Sequence, residues 1–413
     1  MKNAFLEDLN SRGFVSQCTD NEKLDKILSN KSIKAYIGFD CTATSLHVGS
    51  LLQIMILRLL QKYGHQPIVL LGGGTTLIGD PSGKDTTRKI LNHKDIKKNI
   101  LSIKKIFLKL LSSKNKKTKP IFVDNYNWLG KLKYIDFLRD IGKHFTLNKM
   151  LTFDSVKLRL EREQSLSYME FNYMILQAYD FYQLFKKHNC ILQMGGSDQW
   201  GNIVNGVELI RRKLNKEAFG LTTPLITLSS GAKMGKTEKG AVWLDKNLFS
   251  PYDYWQFWRN TDDKDVERFL KYFTDLEVSF IDQVMKNGEN INKKKILLAN
   301  EATKIIHGEK AAKESEKTAE ETFKTGGTSK NLPEINIPKS KLENGINILD
   351  LLYLNKVTDS KSEARRAIQG KGIRVNDEII LDDKILISKQ SFKDKKYIKI
   401  SYGKKKHYII KAD

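Results

Sequence analysis

Apolar and polar positions alternate in different rhythms along the chain, and the changes of rhythm predict its domains. From Ala35 to about Leu225, short apolar runs alternate with longer amphipathic ones, as in AYIGF, SLLQIMILRLLQKYG and PIVLLGG. Short buried strands separated by amphipathic helices are typical of a parallel sheet covered on both faces. Residues 1–225 are therefore predicted to form a doubly wound α/β domain.

The strand pattern fades after Asp245, and segments such as DKDVERFLKYFTDL place charged residues among apolar ones at helical spacing. This pattern predicts an all-α domain within residues 226–324. The following sequence, TGGTSKNLPEINIP, contains glycines and prolines but few large apolar residues. Because it lacks the side chains for a core of its own, residues 325–344 are predicted to be a linker.

The last block, residues 345–413, has its own pattern. INILDLLYLNKV predicts a helix, and Ser360 and Glu363 have the spacing of a capping box before a second helix that ends near Gly370. Short strand patterns follow in GIRVN and KYIKISYG. A small α+β domain rich in lysine and arginine is expected.

The charge balance adds a candidate partner. The 413 residues include 71 Lys and Arg against 48 Asp and Glu, a formal charge of +23. Such an excess favours a polyanion such as nucleic acid. Lysine is abundant throughout the chain, however, so a generally lysine-rich composition explains the same excess equally well.

The positions of the cysteines and the hydropathy of the chain indicate where in the cell the protein is expected. Cys18, Cys41 and Cys190 are far apart and lack the spacing of a metal site or of a disulfide framework. No apolar run approaches the roughly 20 residues of a membrane span. We therefore expect a cytoplasmic protein with no membrane segment and no metal cage of its own.

A first candidate site lies in AYIGFDCTATSLHVGSLLQIM. Side chains alternate along a strand, so Tyr36, Gly38 and Asp40 share one face. Ser45 is predicted to cap the following helix, with His47 and Ser50 in its first turn. Free backbone amides and the helix dipole favour a phosphate there, although an ordinary strand-loop-helix connection has the same pattern.

Two other segments carry candidate chemistry. The glycine-rich SSGAKMGKTEKG places Lys233 and Lys236 in a loop that can close on a triphosphate, or that is simply a solvated lysine loop. In NYMILQAYD, Tyr173, Gln177 and Asp180 fall on one helix face, as either a binding surface or an exposed polar face. The segment from Gly79 to Lys84 is one residue too short for a P-loop.

Together these segments resemble a known family. Residues 40–50 and 233–237 are similar to the two signature motifs of class I aminoacyl-tRNA synthetases, in the same order and at a similar separation. Residues 71–84, 173–180 and 192–202 resemble the tyrosyl branch in particular. The first motif usually ends in histidine in that family, whereas this chain has Ser50, which cannot carry a positive charge.

The resemblance implies activation of tyrosine with ATP and Mg²⁺, transfer to tRNA, and a homodimer formed through an insertion around residues 128–167. It assigns the phenolic hydroxyl of tyrosine to Tyr36 and Asp180, and its other polar groups to Asp80, Tyr173, Gln177 and Gln193. It assigns ATP to Gly38, Asp40, His47, Gly49, Ser50, Gly195, Asp198, Gln199, Lys233, Lys236 and Thr237. Catalysis is assigned to Thr42, His47, Lys233 and Lys236, with Lys84 and Arg88 as further phosphate partners.

The last domain resembles a small RNA-binding domain named for a ribosomal small-subunit protein. The resemblance gives an RNA-binding role to Lys361, Arg365, Arg366, Lys371 and Arg374. A solvated helix face is the alternative. The helical domain is expected to bind the anticodon region.

Three other functions remain open at this point. The chain could be a tryptophan-specific relative, an RNA-binding factor that has lost catalysis, or an adenylating enzyme that modifies RNA or a small molecule. The intact His47, Lys233 and Lys236 argue against the second function, and the helical and basic domains argue against the third.

Overall fold

A computed structural model describes residues 3–80, 91–229, 231, 234–237, 240–324, 333–392, 397–403 and 406–412. The chain divides into two compact units. The first contains residues 1–236, 241–248 and 261–294, and the second contains residues 237–240, 249–260 and 295–413.

The first unit is built on a six-stranded sheet. Its strands are β1 (Gln17–Cys18), β2 (Lys34–Asp40), β3 (Gln66–Gly72), β4 (Ile121–Asp124), β5 (Cys190–Gly196) and β6 (Phe219–Thr223). The spatial order is β1-β6-β5-β2-β3-β4, in which β2 to β6 are parallel and β1 runs antiparallel at one edge. This confirms the predicted doubly wound α/β fold.

Helices connect and cover these strands. They are α1 (Ala4–Arg12), α2 (Asn21–Asn30), α3 (Val48–Lys62), α4 (Thr75–Ile78), α5 (His93–Leu110), α6 (Tyr126–Leu129), α7 (Tyr134–Asp140), α8 (Leu147–Met150), α9 (Asp154–Glu161), α10 (Tyr168–His188) and α11 (Trp200–Leu214). β3 is buried from Pro67 to Gly72, as expected for a strand covered on both faces. Short 3-10 helices cover Gly142–His144 and Ser197–Gln199.

The region after β6 is helical, as predicted, but the two units share it. Short strands β7 (Lys236–Thr237) and β8 (Gly240–Ala241) precede α12 (Pro251–Arg259), a 3-10 helix (Asp263–Asp265), α13 (Val266–Phe273), α14 (Val278–Lys286), α15 (Ile291–His307) and α16 (Glu309–Lys324). α13 and α14 belong to the first unit, whereas α12 and α16 belong to the second and pack against each other.

The C-terminal part of the second unit has a core of its own, formed by residues such as Leu342, Leu352, Ile368 and Ile400. Its elements are β9 (Glu334–Ile337), α17 (Lys339–Glu343), β10 (Ile346–Asn347), α18 (Ile348–Leu354), α19 (Lys361–Gln369), β11 (Ile373–Val375), β12 (Glu378–Ile379), β13 (Leu386–Ile387), a 3-10 helix (Lys389–Phe392), β14 (Ile398–Tyr402) and β15 (Lys406–Ala412). The larger sheet has the order β12-β11-β14-β15-β9.

Two details test the sequence interpretation here. Ser360 caps α19 by accepting from the Glu363 backbone N–H at 3.1 Å, and Gly370 ends the helix, as predicted. The predicted linker, residues 325–344, is too long. β9 pairs in parallel with β15, so residues 334–343 belong to the C-terminal fold. The sequence does not indicate this because the segment contains few large apolar residues.

A buried arginine fixes α1 within the first unit. The Arg12 side chain donates to Asp8 Oδ1 at 2.7 Å and to the carbonyl oxygens of Lys271 and Leu276 at 3.0 and 2.7 Å. Tyr63 donates to the other oxygen of Asp8 at 3.0 Å. Arg12 thereby satisfies carbonyl groups at and beyond the C-terminal end of α13 that have no partner within that helix.

We expect Arg12→Met to destabilise the first unit by about 3–5 kcal/mol, because the change leaves the Asp8 charge and several carbonyl groups buried without their partner. Urea unfolding measures this change. The control is Lys23→Met, which breaks an exposed pair with Glu217 and should leave the free energy of unfolding nearly unchanged. Equal losses in the two variants would contradict a structural role for Arg12.

Candidate active site

The order of the parallel strands reverses between β2 and β5, and in an open sheet such a reversal leaves a cleft outside the carboxyl ends of the strands. Such a reversal is where ligands bind in open α/β sheets. Gly38, on the central strand β2, is exposed although its neighbours Ile37 and Phe39 are buried. An exposed glycine in the middle of a central strand marks the place where a ligand can approach the backbone.

Two buried polar atoms lack partners beside this opening. Tyr36 on β2 and Gln193 on β5 are register partners, and both side chains are no more than 2% exposed. Within the described part of the chain, Tyr36 Oη and Gln193 Oε1 form no hydrogen bond. Leaving a buried polar atom unpaired costs about 1–3 kcal/mol, so both atoms fit a site completed by a polar ligand.

Asp180 on α10 provides the charge of this site. Asn125 Nδ2 donates to its Oδ2 at 2.9 Å, and Trp128 Nε1 donates to its Oδ1 at 2.7 Å. Burial raises the pKa of Asp180 to about 7 against the effect of these two donors. Burial, together with the nearby charge of Asp180, also raises the pKa of Tyr36 well above its ordinary value.

Asn125 and Trp128 are functional candidates that the sequence analysis missed. Asn125 directly follows β4, and its side chain also accepts from the Gly74 backbone N–H at 2.7 Å and donates to Thr75 Oγ1 at 3.0 Å. A polar residue after a predicted strand was the available signal for Asn125. Trp128 lies in the four-residue helix α6, which is too short to show a period.

A second set of polar side chains forms a chain of hydrogen bonds along the cleft. Gln199 Nε2 donates to Asp80 Oδ2 at 2.9 Å, and Asn202 Nδ2 donates to Gln199 Oε1 at 3.0 Å and to Gln177 Oε1 at 3.1 Å. The structure thus connects Asp80 and Gln177, assigned to tyrosine, with Gln199, assigned to ATP. Asn202 was not foreseen.

Asp40 joins the two groups of residues at the end of β2. Its Oδ1 accepts from Thr75 Oγ1 at 3.0 Å, and the Tyr173 hydroxyl approaches the two carboxylate oxygens at 3.4 and 3.5 Å. Tyr173 therefore lies beside Asp40 as well as on the same helix face as Gln177 and Asp180.

The N-terminus of α3 differs in one detail from the prediction. His47, and not Ser45, is the N-cap, and its Nδ1 accepts from the Gly49 backbone N–H at 3.0 Å. Ser45 Oγ donates instead to the Leu46 carbonyl. Ser50 lies in the first turn, as predicted. Histidine can cap the helix because its ring nitrogen accepts a hydrogen bond from a backbone N–H, the role that was predicted for the serine hydroxyl.

The two signature-like motifs meet at this helix end. A Cβ placed on Gly235 would lie 2.8 Å from the Gly49 nitrogen and 3.0 Å from His47 Nδ1. Gly235 also has φ of +93°, so both its backbone conformation and its surroundings require glycine. Backbone hydrogen bonds from Val242 to Gly235 and from Val48 to Val242 continue the contact.

Other assigned residues border the same region. Cys41 is fixed by Thr76 and Asn99, which hold its backbone N–H and carbonyl, and the exposed Thr42 follows it. Gly195 is near the end of β5, and Asp198 lies in the 3-10 helix before α11. Lys236 and Thr237 form β7. Lys84, Arg88 and Lys233 lie outside the described residues.

The five basic residues assigned to RNA are all exposed in the C-terminal fold, but they differ in their partners. Lys361 pairs with Asp350, and Arg365 Nε donates to Asp383 at 2.6 Å. Lys371 has φ of +56° just after α19, and Arg374 points outward from β11. A hydrogen bond from the Asp359 backbone lowers the pKa of Glu363, and a hydrogen bond from Tyr402 and the nearby charges of Lys406 and Arg366 lower it further.

The described ranges contain neither a metal cluster nor a membrane-spanning helix. Within them, no cluster of three or more His, Cys, Asp and Glu side chains could hold a metal ion. In the same part of the chain, no helix is both long enough and apolar enough to cross a membrane.

Comparison with known proteins agrees with this geometry. Residues 28–324 match the family model described as tRNA synthetases class I (W and Y). The chain belongs to this family. Residues 325–410 match the SYY-like C-terminal domain of tyrosine–tRNA ligases, which places the chain in the tyrosine branch.

Individual relatives support the same branch. The tyrosine–tRNA ligase of Pelagibacter ubique is 63% identical over 99% of both chains, and that of Rickettsia rickettsii is 52% identical over 99% of this chain and all of its own. A truncated mitochondrial tyrosyl-tRNA synthetase from Aspergillus nidulans superposes with a TM-score of 0.70 at 31% identity, covering 77% of this chain and 94% of its own. As a member of this branch, the chain is an ATP-dependent ligase of tyrosine and tRNA.

The hydrogen bond from Trp128 generates a prediction for the ligase. Because the folded-state pKa of Asp180 exceeds its ordinary value, Asp180 loses stabilising effect as pH rises from about 4 towards about 7. Trp128→Phe removes a donor to the ionised form. We therefore expect a loss about 1.5–3 kcal/mol larger at pH 8, where Asp180 is ionised, than at pH 5.

Urea unfolding at the two pH values measures this difference, and the cost of the smaller ring cancels because it does not depend on pH. The control is Trp255→Phe, which removes an indole that donates to the uncharged side chain of Asn300 at 2.7 Å. The same loss at pH 5 and pH 8 in Trp128→Phe would rule out a charge-dependent role for the indole donor.

Proposed function

We propose that the ligase activates tyrosine in the cleft between β2 and β5, with the phenolic hydroxyl held between Tyr36 and Asp180. The observation that carries this proposal is the buried Tyr36 hydroxyl, which has no partner among the described residues, beside the buried carboxyl of Asp180. Tyr36 donates to the phenol oxygen, and the phenol donates to Asp180. Phenylalanine would leave both groups unpaired in a dry site.

The remaining polar groups of tyrosine face the hydrogen-bonded chain along the cleft. Asp80, Tyr173 and Gln177 bind the α-ammonium group, since a carboxylate, a phenol and an amide oxygen all accept from it. Gln193 orients the amino acid through its amide. The bond between Gln199 and Asp80 supports this arrangement, because it fixes the carboxylate next to the ATP subsite.

ATP binds across the N-terminus of α3 and the ends of β2 and β5. Its phosphates lie near Thr42, His47, Gly49 and Ser50, and its nucleoside near Gly38, Asp40, Gly195, Asp198 and Gln199. Lys233, Lys236 and Thr237, together with Lys84 and Arg88, stabilise the charge that develops on pyrophosphate. Mg²⁺ enters with ATP as part of this substrate.

The reaction then needs no side-chain nucleophile. A tyrosine carboxylate oxygen attacks the α-phosphorus, forming the mixed anhydride tyrosyl-adenylate as the bond to pyrophosphate breaks. A hydroxyl of the terminal adenosine of tRNA next attacks the acyl carbon, forming the ester and releasing AMP. Positioning and electrostatic stabilisation therefore account for the acceleration.

Two further features belong to the proposal. The ligase works as a homodimer in the cytoplasm, with an interface formed by residues 128–167. This insertion exposes several large apolar side chains, which are Tyr134, Ile135, Leu138, Leu147, Leu151, Leu158 and Leu160. A cluster of exposed apolar residues is typical of an interaction surface.

tRNA contacts residues 226–324 through its anticodon region, and it contacts the C-terminal fold through phosphates. Arg366, Lys371 and Arg374 are the first candidates there, because Lys361 and Arg365 already pair with acidic side chains. A phosphate would have to replace Asp350 or Asp383 to bind those two residues.

ATP–pyrophosphate exchange with each amino acid in turn tests the proposed activity and its residues. We expect exchange with tyrosine only, and we expect Asp180→Ala to weaken tyrosine about 100-fold or more while ATP affinity stays unchanged. The variant removes an acceptor of the phenol and leaves two buried donors unpaired.

Asp282→Ala is the matched control, because it removes an exposed carboxylate of α14 that pairs with Lys271. Exchange with tryptophan instead would indicate the other branch of the family, and no exchange with any amino acid would indicate an RNA-binding factor. Equal losses of tyrosine and ATP affinity in Asp180→Ala would remove that residue from the phenol site.

Division of labour between the domains gives a second test. A chain that ends at Lys324 should form tyrosyl-adenylate at the normal rate but charge tRNA poorly, since every proposed activation residue precedes Glu238. Its tRNA affinity should also decrease less steeply with added salt, because fewer phosphates are neutralised. Parallel salt slopes and equal affinities for the two chains would contradict an RNA-binding role for the C-terminal fold.

A further inference from the structure

Helix α5 carries a large excess of positive charge. Its 18 residues include six lysines and one acidic residue, Asp95. The next nine residues, 111–119, add four more lysines and no acid. The segment 93–119 therefore has a net charge of +9 (10 Lys minus 1 Asp), out of +23 for the whole chain.

Several lysines of other helices pair with acidic residues. In α16, Lys313 pairs with Glu309 and Lys317 with Glu321, one turn apart. α2 places Lys23 near both Asp20 and Glu217. Such pairing is the usual way to solvate a charged helix face without cost to the helix.

Three lysines of α5 have no such partners. Across the described ranges, Lys94, Lys98 and Lys105 form no ion pair and no hydrogen bond to an acidic side chain. Lys94 and Lys98 are one turn apart, and so are Lys105 and Lys109. Like charges at this spacing repel and destabilise an isolated helix, so an anionic partner would stabilise this face.

These three lysines lie on one outward stripe. Ile96, Ile103, Phe107 and Leu110 are buried on the inner face of α5. The outer positions Lys94, Lys98, Leu101, Lys105 and Leu108 follow one another at steps of four, three, four and three residues, which is the spacing of a straight helical stripe. At about 1.5 Å per residue the stripe is about 21 Å long.

Neighbouring residues extend this surface. Lys104 lies beside the stripe with its ammonium group 5.3 Å from the centre of the Phe122 ring. Burial lowers the pKa of Lys109, and the nearby charge of Lys246 lowers it further, so the exposed Lys246 lies near the other end of the stripe. The stripe thus belongs to a wider basic surface of the first unit.

We propose that this stripe, defined as Lys94, Lys98, Leu101, Lys105 and Leu108, is a second RNA-binding surface that contacts the phosphate backbone of tRNA. Ammonium groups bind phosphates as point charges without reading bases, and the two leucines can pack on the apolar edges of riboses. The stripe belongs to the first unit and adds affinity without sequence preference.

The alternative partner of a basic helix with exposed leucines is an anionic membrane. A helix that lies in a membrane interface inserts a continuous apolar face. The continuous apolar face of α5 is already buried in the protein, and the stripe offers only two leucines, each flanked by lysines. The chemistry of the stripe therefore fits RNA better.

The test compares two triple variants of the full-length ligase. Lys94, Lys98 and Lys105→Gln removes three charges from the stripe. The control variant replaces Lys23, Lys26 and Lys31 with Gln. It removes two exposed charges from α2 and one directly after it, and α2 also contains Glu22 and Asp25. tRNA affinity is measured for both and for the unchanged chain over a salt series, alongside tyrosine-dependent ATP–pyrophosphate exchange.

We expect the stripe variant to bind tRNA about tenfold or more weakly at low salt. The slope of log affinity against log salt should flatten by about two to three, close to one for each phosphate that the lysines no longer neutralise. Exchange, which needs no tRNA, should stay unchanged in all three proteins. If the chain without substitutions shows no exchange, the proposed activation site is contradicted. The tRNA measurements still test the stripe, because they do not depend on activation.

Three outcomes would overturn the proposal. Unchanged tRNA affinity in the stripe variant would make α5 a solvated helix face. Equal losses in the stripe and α2 variants would show a general effect of net charge. Binding of the unchanged chain to vesicles containing anionic lipid, abolished in the stripe variant while tRNA affinity is kept, would identify a membrane surface instead.

Discussion

The buried carboxyl of Asp180 is the constraint on which the rest of the site depends. Placing a carboxylate in a dry core requires donors, and Asn125 and Trp128 supply them from the turn after β4 and from α6. Asn125 also holds Gly74 and Thr75, and Thr75 in turn donates to Asp40. One buried carboxyl group is therefore linked by hydrogen bonds, through Asn125 and Thr75, to residues at the ends of three strands, β2, β3 and β4.

A second constraint acts through close backbone approach. The segment around Gly235 can reach the N-terminus of α3 only because neither Gly235 nor Gly49 carries a side chain. A Cβ on Gly49 would lie 2.6 Å from the His47 ring, which must stay in place to cap the helix. The glycines of the two motifs thus set the distance between the helix N-terminus and the lysine that follows Gly235.

How much of these features the sequence predicts depends on the length of each element and on how far apart in the sequence its contacts lie. Short apolar runs identified the strands of the sheet, and helical periodicity identified α10 and the helix after β5, because those helices are long and bury one clear face. It could not identify Trp128 in a four-residue helix, or the pairing of β9 with β15, which joins residues about 75 positions apart. Ser45 was preferred to His47 as a cap because composition alone does not show which side chain the turn directs at the helix end.

The positive charge of the chain is divided between two uses, and composition alone does not separate them. Lys361, Arg365 and the lysines of α16 that pair with acids of the same fold contribute little net field. The lysines of the α5 stripe have no acidic partner among the described residues, and a helix face under such repulsion is stabilised by any polyanion that approaches it. The formal charge of +23 therefore has to be assigned helix by helix. Lysines that pair with nearby acids solvate the surface, whereas lysines without such acids are available to an anionic partner.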